Sequence, residues 1–235
     1  MPRQLTFDLP AVPALGREDF FVSPANTLAV TALDGWRDWP LGKMALTGPA
    51  GAGKTHLAHV FAASASASAG SETVATIVAA RDLPGADIPT LATGAVVVED
   101  VPAIAGDRKA ETALFHLHNL VLETGGRLLV TGRAAPARWN IALPDLASRL
   151  AAASVATIDP PDDNLLAAVL AKLFADRQLA VDPDVIRYLT RRMTRDFAAA
   201  HDMVARLDAL SLEHHRPITR PLAAQVLDIT DDDAP

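Results

Sequence analysis

The chain has 235 residues, a formal net charge of −7 and no cysteine, which excludes a disulfide framework, a thiolate nucleophile and zinc sites built on sulfur ligands. Half of its residues are hydrophobic and 5% are aromatic, so at roughly 150 residues per domain one or two alanine-rich, helix-favouring domains are expected. No apolar run approaches the roughly 18 residues that span a bilayer, and no basic segment with an apolar core opens the chain; a cytoplasmic protein with no membrane partner is expected, and the acidic balance argues against a chain whose main task is to wrap nucleic acid.

In chain order, residues 1–16 (MPRQLTFDLPAVPALG) carry prolines at 2, 10 and 13 and close on Gly16, which predicts a mobile tail with no long helix or central strand. From Lys43 to Thr131, four short apolar runs alternate with helical stretches: KMALT (43–47), TVATIV (73–78), AVVVE (95–99) and RLLVT (127–131). Apolar continuity without alternation marks strands buried on both faces. A helix is expected over Lys54 to Ser68, and a second one after Asp107, with Ala110, Ala113, Leu114, Leu117 and Leu120 or Val121 at helical spacing until Gly125-Gly126. The implied fold is α/β, a parallel sheet covered by helices on both faces.

Beyond Pro160-Pro161 the strand signal ends. Helices are predicted from Asp162, from Asp182-Pro183-Asp184, from Thr194 and, as a short fourth, from Thr219 with Pro221. The expected division is a tail over 1–16, a nucleotide-binding core over 17–160 and a small helical lid over 161–235. Arg187, Arg191, Arg192 and Arg195 read as a solvated, salt-bridged helix face because acids lie nearby at helical spacing.

Gly48-Pro49-Ala50-Gly51-Ala52-Gly53-Lys54-Thr55 fits G-x-x-x-x-G-K-[ST], a phosphate-binding loop. Its glycines let the backbone around Ala52 curl so that N–H groups face phosphate oxygens, Lys54 reaches the β- and γ-phosphates and Thr55 ligates Mg²⁺. The following helix N-terminus adds partial positive charge. Val96-Val97-Val98-Glu99-Asp100 supplies a strand ending in two carboxylates, one to organise Mg²⁺ and one to polarise the attacking water. Arg149 and Arg195 are candidate sources of transition-state charge.

These residues resemble a known group. GPAGAGKTHLA (48–58), with His56 after the loop threonine, is similar to the AAA+ subgroup of the initiator DnaA and the helicase loaders. REDFFVSPAN (17–26) resembles the segment that lies beside the adenine in that group. Ile104 to Asp107, and above all LPDLASRL (143–150), resemble the Hda family of DnaA-related regulatory inactivators. The resemblance implies that Arg149 is an arginine finger reaching a neighbouring subunit's ATP, and that Arg195 and His56 belong to the protein's own ATP or ADP site. It gives the magnesium-binding position to Glu99 and the catalytic second acid to Asp100. Gln4-Leu5-Thr6-Phe7-Asp8-Leu9 is similar to peptides that dock on the replicative sliding clamp, with Gln4 in a polar pocket and Leu5, Phe7 and Leu9 in an apolar groove.

The implied activity is stimulation of ATP hydrolysis on DnaA at the DNA-loaded clamp, at the replisome on the nucleoid, with DNA met only indirectly and a homo-oligomer possible. Two departures stand out: Glu99 where relatives carry aspartate, and Thr131-Gly132-Arg133 where they read T-[SG]-D. Both favour a nucleotide-gated partner protein over a fast ATPase. DnaA continues past its lid into a DNA-reading domain, whereas here the lid runs into Asp231-Asp232-Asp233, which repels phosphates. The GKTHLA stretch alone fits a helicase loader or transposition-helper ATPase of the DnaC or IstB type equally well.

Overall fold

A computed structural model describes residues 20–68, 75–214 and 216–232. The docking residues Gln4, Leu5, Phe7 and Leu9, together with 17–19, 73–74 and 233, lie outside them. In chain order the main elements are α1 (Thr27–Asp34), β1 (Lys43–Thr47), α2 (Lys54–Ser68), β2 (Thr76–Ala79), α3 (Ile88–Leu91), β3 (Ala95–Glu99), α4 (Arg108–Glu123), β4 (Arg127–Gly132), α5 (Pro144–Ala151), β5 (Ser154–Thr157), α6 (Asp163–Asp176), α7 (Pro183–Thr190), α8 (Phe197–His214) and α9 (Arg220–Asp232).

The strands form one parallel sheet in the order β2-β3-β4-β1-β5. Successive residues feed opposite cores. Met44, Leu46, Ala95, Val97 and Leu129 pack on the α1 and α2 face, while Ala45, Val96, Val98, Leu128 and Val130 pack on the α4 and α5 face. Both faces are therefore apolar, which is why these strands show no alternation. β4 inserts between β1 and β3, so the ends of three strands converge at one carboxyl edge, where open parallel sheets place their ligands.

β5 departs from the sequence expectation, which placed no strand there. SVAT is four residues long at a sheet edge and largely exposed apart from Ala156, so it carries no buried apolar run. It is held by pairing with β1 from Met44↔Ser154 to Thr47↔Thr157.

A third apolar cluster joins α6 to α9 through Leu166, Leu170, Phe174, Leu189, Val204 and Val226. Asp162 and Asp182 cap α6 and α7 through their side chains, as the sequence suggests. The next helix begins at Phe197, not at Thr194, because Asp196 accepts hydrogen bonds from the Ala198 and Ala199 N–H groups and forms the cap. α9 is 13 residues long, longer than the short helix expected.

Candidate nucleotide-binding site

The phosphate loop leaves the end of β1 and turns into α2 at Lys54. A cavity of about 340 Å³ opens at this edge, lined among others by Ala50, Lys54, Thr55, Glu99, Asp100 and Arg133. The sheet order brings these residues together, since Val98 pairs with Val130 and Thr47 with Gly132. The Asp100 N–H donates to Thr131 Oγ1 at 3.0 Å, and Asp100 holds a left-handed φ of 52°. A non-glycine residue in this region stores strain that surrounding contacts must hold; the β4 hydroxyl is one such contact, and it fixes the acidic pair at the cavity rim.

Lys54 Nζ donates to the carbonyl oxygens of Gly48 and Pro49 at 2.7 and 2.6 Å. Burial holds its pKa below the ordinary lysine value and the Arg133 charge adds to this, while Asp100, Asp196 and Glu99 act in the opposite direction. The cavity therefore pairs the cations Lys54, Arg81 and Arg133 with the carboxylates Glu99 and Asp100. A bound phosphate group would supply acceptors in place of the loop carbonyls around Lys54, and Thr55 and Glu99 would offer hard oxygen ligands of the kind Mg²⁺ takes. The donor set fits a magnesium nucleotide.

The lid closes over the loop from above. The Phe197 N–H donates to the Gly51 carbonyl oxygen at 3.0 Å. Gly51 has φ 66°, and a Cβ there would collide with the Asp196 carboxylate; at Gly53, with φ 95°, a Cβ would sit 3.2 Å from the Phe197 ring. Only glycine allows both the curl and this approach. Ala52, between them, is buried. His56 lies outside the cavity lining and meets Phe20 edge-on with centroids 5.1 Å apart.

The two candidate arginines sit apart from this cavity. Arg195 pairs with Asp163 at 2.8 Å and is 59% exposed. Arg149 is exposed on α5 with its guanidinium 5.2 Å from the Phe115 ring centroid. Neither lines the phosphate cavity of its own chain.

Sequence reasoning overlooked the supports of Arg149. The Glu111 carboxylate, 1% exposed, accepts from the backbone N–H groups of Gly106, Ala142 and Leu143 at 2.8, 2.9 and 2.7 Å, and so anchors the start of α5. Its one available signal was a carboxylate at helical spacing with Leu114, Leu117, His118 and Val121 on the buried face of α4. Asp196, Arg81 and Thr131 were also not assigned to the site.

Residues 162–227 match the family model described as Hda, lid domain. The whole fold is similar to domain III of the replication initiation protein DnaA from Thermotoga maritima. That match has TM-score 0.80 and 17% identity, covering 94% of this chain and 98% of that one. The helical part is thus similar to the Hda lid, and the fold is that of DnaA domain III. It is also similar to AMPPCP-bound DnaA from Aquifex aeolicus, with TM-score 0.69, 16% identity, 84% of this chain and 66% of that one. Thermotoga maritima RuvB shares the fold at TM-score 0.63 and 14% identity, over 86% of this chain and 67% of that one. The chain thus carries a glycine-rich loop, an acidic strand end and an Hda-type lid on a DnaA-like fold. Among the described residues, no helix is long and apolar enough to cross a membrane.

Proposed function

We propose that this chain regulates the initiation of chromosome replication. With ATP or ADP and Mg²⁺ bound, it docks through Gln4, Leu5, Phe7 and Leu9 on the DNA-loaded sliding clamp and presents Arg149 to ATP held by DnaA, stimulating its hydrolysis and so preventing re-initiation. The reading rests on one observation above the others: Arg149 is exposed, lies outside its own chain's phosphate cavity and sits on a helix anchored by buried groups. An arginine serving its own nucleotide would be expected among the cavity's lining. The Hda-type lid and the DnaA-like fold agree with a partner of the same family.

In this reading Lys54 and the loop N–H groups bind the phosphates, Thr55 and Glu99 hold Mg²⁺, and Asp100 orients water. Bound Mg²⁺ would supply charge neutralisation between the phosphate oxygens. Arg133 adds a second cation beside Lys54, favouring retention of nucleotide over its turnover. Lid contacts at Gly51 and Gly53 couple occupancy of the loop to the position of α8. An arginine given in trans accelerates phosphoryl transfer by roughly 10³–10⁵, and two weak attachments, to clamp and to DnaA, reinforce one another through effective concentration.

Capture on purified sliding clamp, comparing the full chain with one lacking residues 1–10, tests the docking step. Retention of the full chain and loss of the truncated one is expected. Equal retention removes the clamp from the account.

A further inference from the structure

The lid carries a cluster that nucleotide binding does not use. Arg187, Tyr188, Arg191, Arg192 and Arg220, with Asp184, line a groove of about 280 Å³ where the end of α7 meets the start of α9. The sequence reading of the lid arginines as a solvated, salt-bridged face holds for exposure at all four and for pairing at two. Arg187 pairs with Asp184 and Arg195 with Asp163, but among the described residues no carboxylate lies within ion-pair distance of Arg191, Arg192 or Arg220. The guanidiniums of Arg192 and Arg220 instead lie 4.7 and 4.8 Å from the centre of the Tyr188 ring. The turn after α7 and the start of α9 thus bring cations to a single ring, and the groove counts four arginines against one aspartate on a chain of net charge −7.

We infer that this groove binds the phosphate backbone of duplex DNA. Its lining has no aliphatic residue, and its one ring is engaged by guanidiniums, so it offers no apolar anchor of the kind that fills the centre of a protein interface. An acidic peptide would gain only screened charge there. Phosphates need no such anchor, because guanidinium forks and counterion release supply the affinity. The engaged ring also leaves no aromatic platform for unstacked bases, which favours a duplex over a single strand. The expected contact is independent of sequence and steep in salt. It would give a chain held on DNA-threaded clamp a second, direct hold on the DNA, and it does not depend on the proposed role of Arg149.

The test is fluorescence anisotropy of the full chain with a labelled duplex of about 30 base pairs, without clamp or DnaA, titrated from about 50 mM salt upward. A single strand of the same length and an oligo-aspartate peptide serve as the other arms. R191A/R192A/R220A is expected to lose about tenfold or more in duplex affinity at the lowest salt, and to flatten the log–log salt slope by roughly 2–3. R191K/R192K/R220K should retain the salt-dependent binding, and R108A/K109A, which removes cations at the start of α4, should change neither quantity. Arg191 makes no ring contact, so R191E alone is a variant that leaves the packing around Tyr188 in place; it should still weaken duplex binding several-fold. The proposal is overturned if wild type shows no salt-dependent duplex binding, if R191E and the triple alanine variant bind as wild type does, or if the aspartate peptide or the single strand binds in preference to the duplex.

Discussion

The ammonium of Lys43, a side chain only 5% exposed, donates to the carbonyl oxygen of Arg149 at 2.7 Å. That carbonyl belongs to the last turn of α5, where carbonyls lack helical partners and a cation complements the helix dipole. Glu111 holds the other end of the same helix. The arginine's backbone is thereby fixed while its side chain stays at the surface, the arrangement a group acting on another molecule requires. Lys43→Met removes the donor from two acceptors, the buried His118 Nε2 and the part-buried Arg149 O, and should cost about 1–3 kcal/mol. Urea unfolding should report that loss. Nucleotide affinity should stay at the wild-type value, while stimulation of DnaA falls.

Glu111→Ala leaves three backbone N–H groups without their acceptor. A loss of at least about 3 kcal/mol is expected, seen as a fall of roughly 6–12 °C in the melting temperature for a chain of this size. A variant that melts with wild type would show that other groups satisfy these donors.

His118 Nε2 lies 3.2 Å from the Lys43 ammonium, so it accepts there and leaves Nδ1–H to donate to Asn119 Oδ1. Burial lowers the His118 pKa below its ordinary value, and the Lys43 and Arg149 charges add to that against the opposing Asn119 bond. The folded state therefore binds this proton less readily than the unfolded state. The sign follows: the stabilisation is complete above the unfolded pKa of about 6.5 and is lost as pH falls through the folded value. His118→Gln keeps an acceptor for Lys43 but cannot titrate. Between about pH 7.5 and 5.5, unfolding free energy should fall less in the variant than in wild type; equal slopes would exclude His118 as the titrating group.

Gly51→Ala should fold, since the collision it creates is with Asp196 at the lid's edge and not with the sheet. Displacing Asp196 and Phe197 should weaken binding of a fluorescent ADP analogue about tenfold or more while far-ultraviolet circular dichroism stays unchanged. Wild-type affinity would mean that the lid contact is dispensable for nucleotide.

Much of this architecture is legible in the sequence, and the exceptions have physical causes. Lys43–Thr47 and Ala95–Glu99 stand at their expected bounds because buried strands leave continuous apolar runs. Ser154–Thr157 leaves none, because an edge strand buries too little. Glu111 and Lys43 give little sign in a sequence of what holds them, since Ala142, Leu143 and the Arg149 carbonyl lie far along the chain. The chemistry of Gly48 to Thr55 is local and could be read directly. The gathering of Arg133, Glu99 and Asp100 around it depends on β4 lying between β1 and β3, and no spacing along the chain records that. Pairing among the lid arginines is hidden for a similar reason: helical spacing shows which acids are near, not that they choose Arg187 and Arg195.

The most direct measurement is the rate of ATP hydrolysis on DnaA with DNA-loaded clamp and either wild-type chain or Arg149→Ala. The account predicts that wild type accelerates hydrolysis, and that Arg149→Ala gives no acceleration while it still binds nucleotide and clamp. Acceleration by Arg149→Ala equal to that of wild type would contradict it.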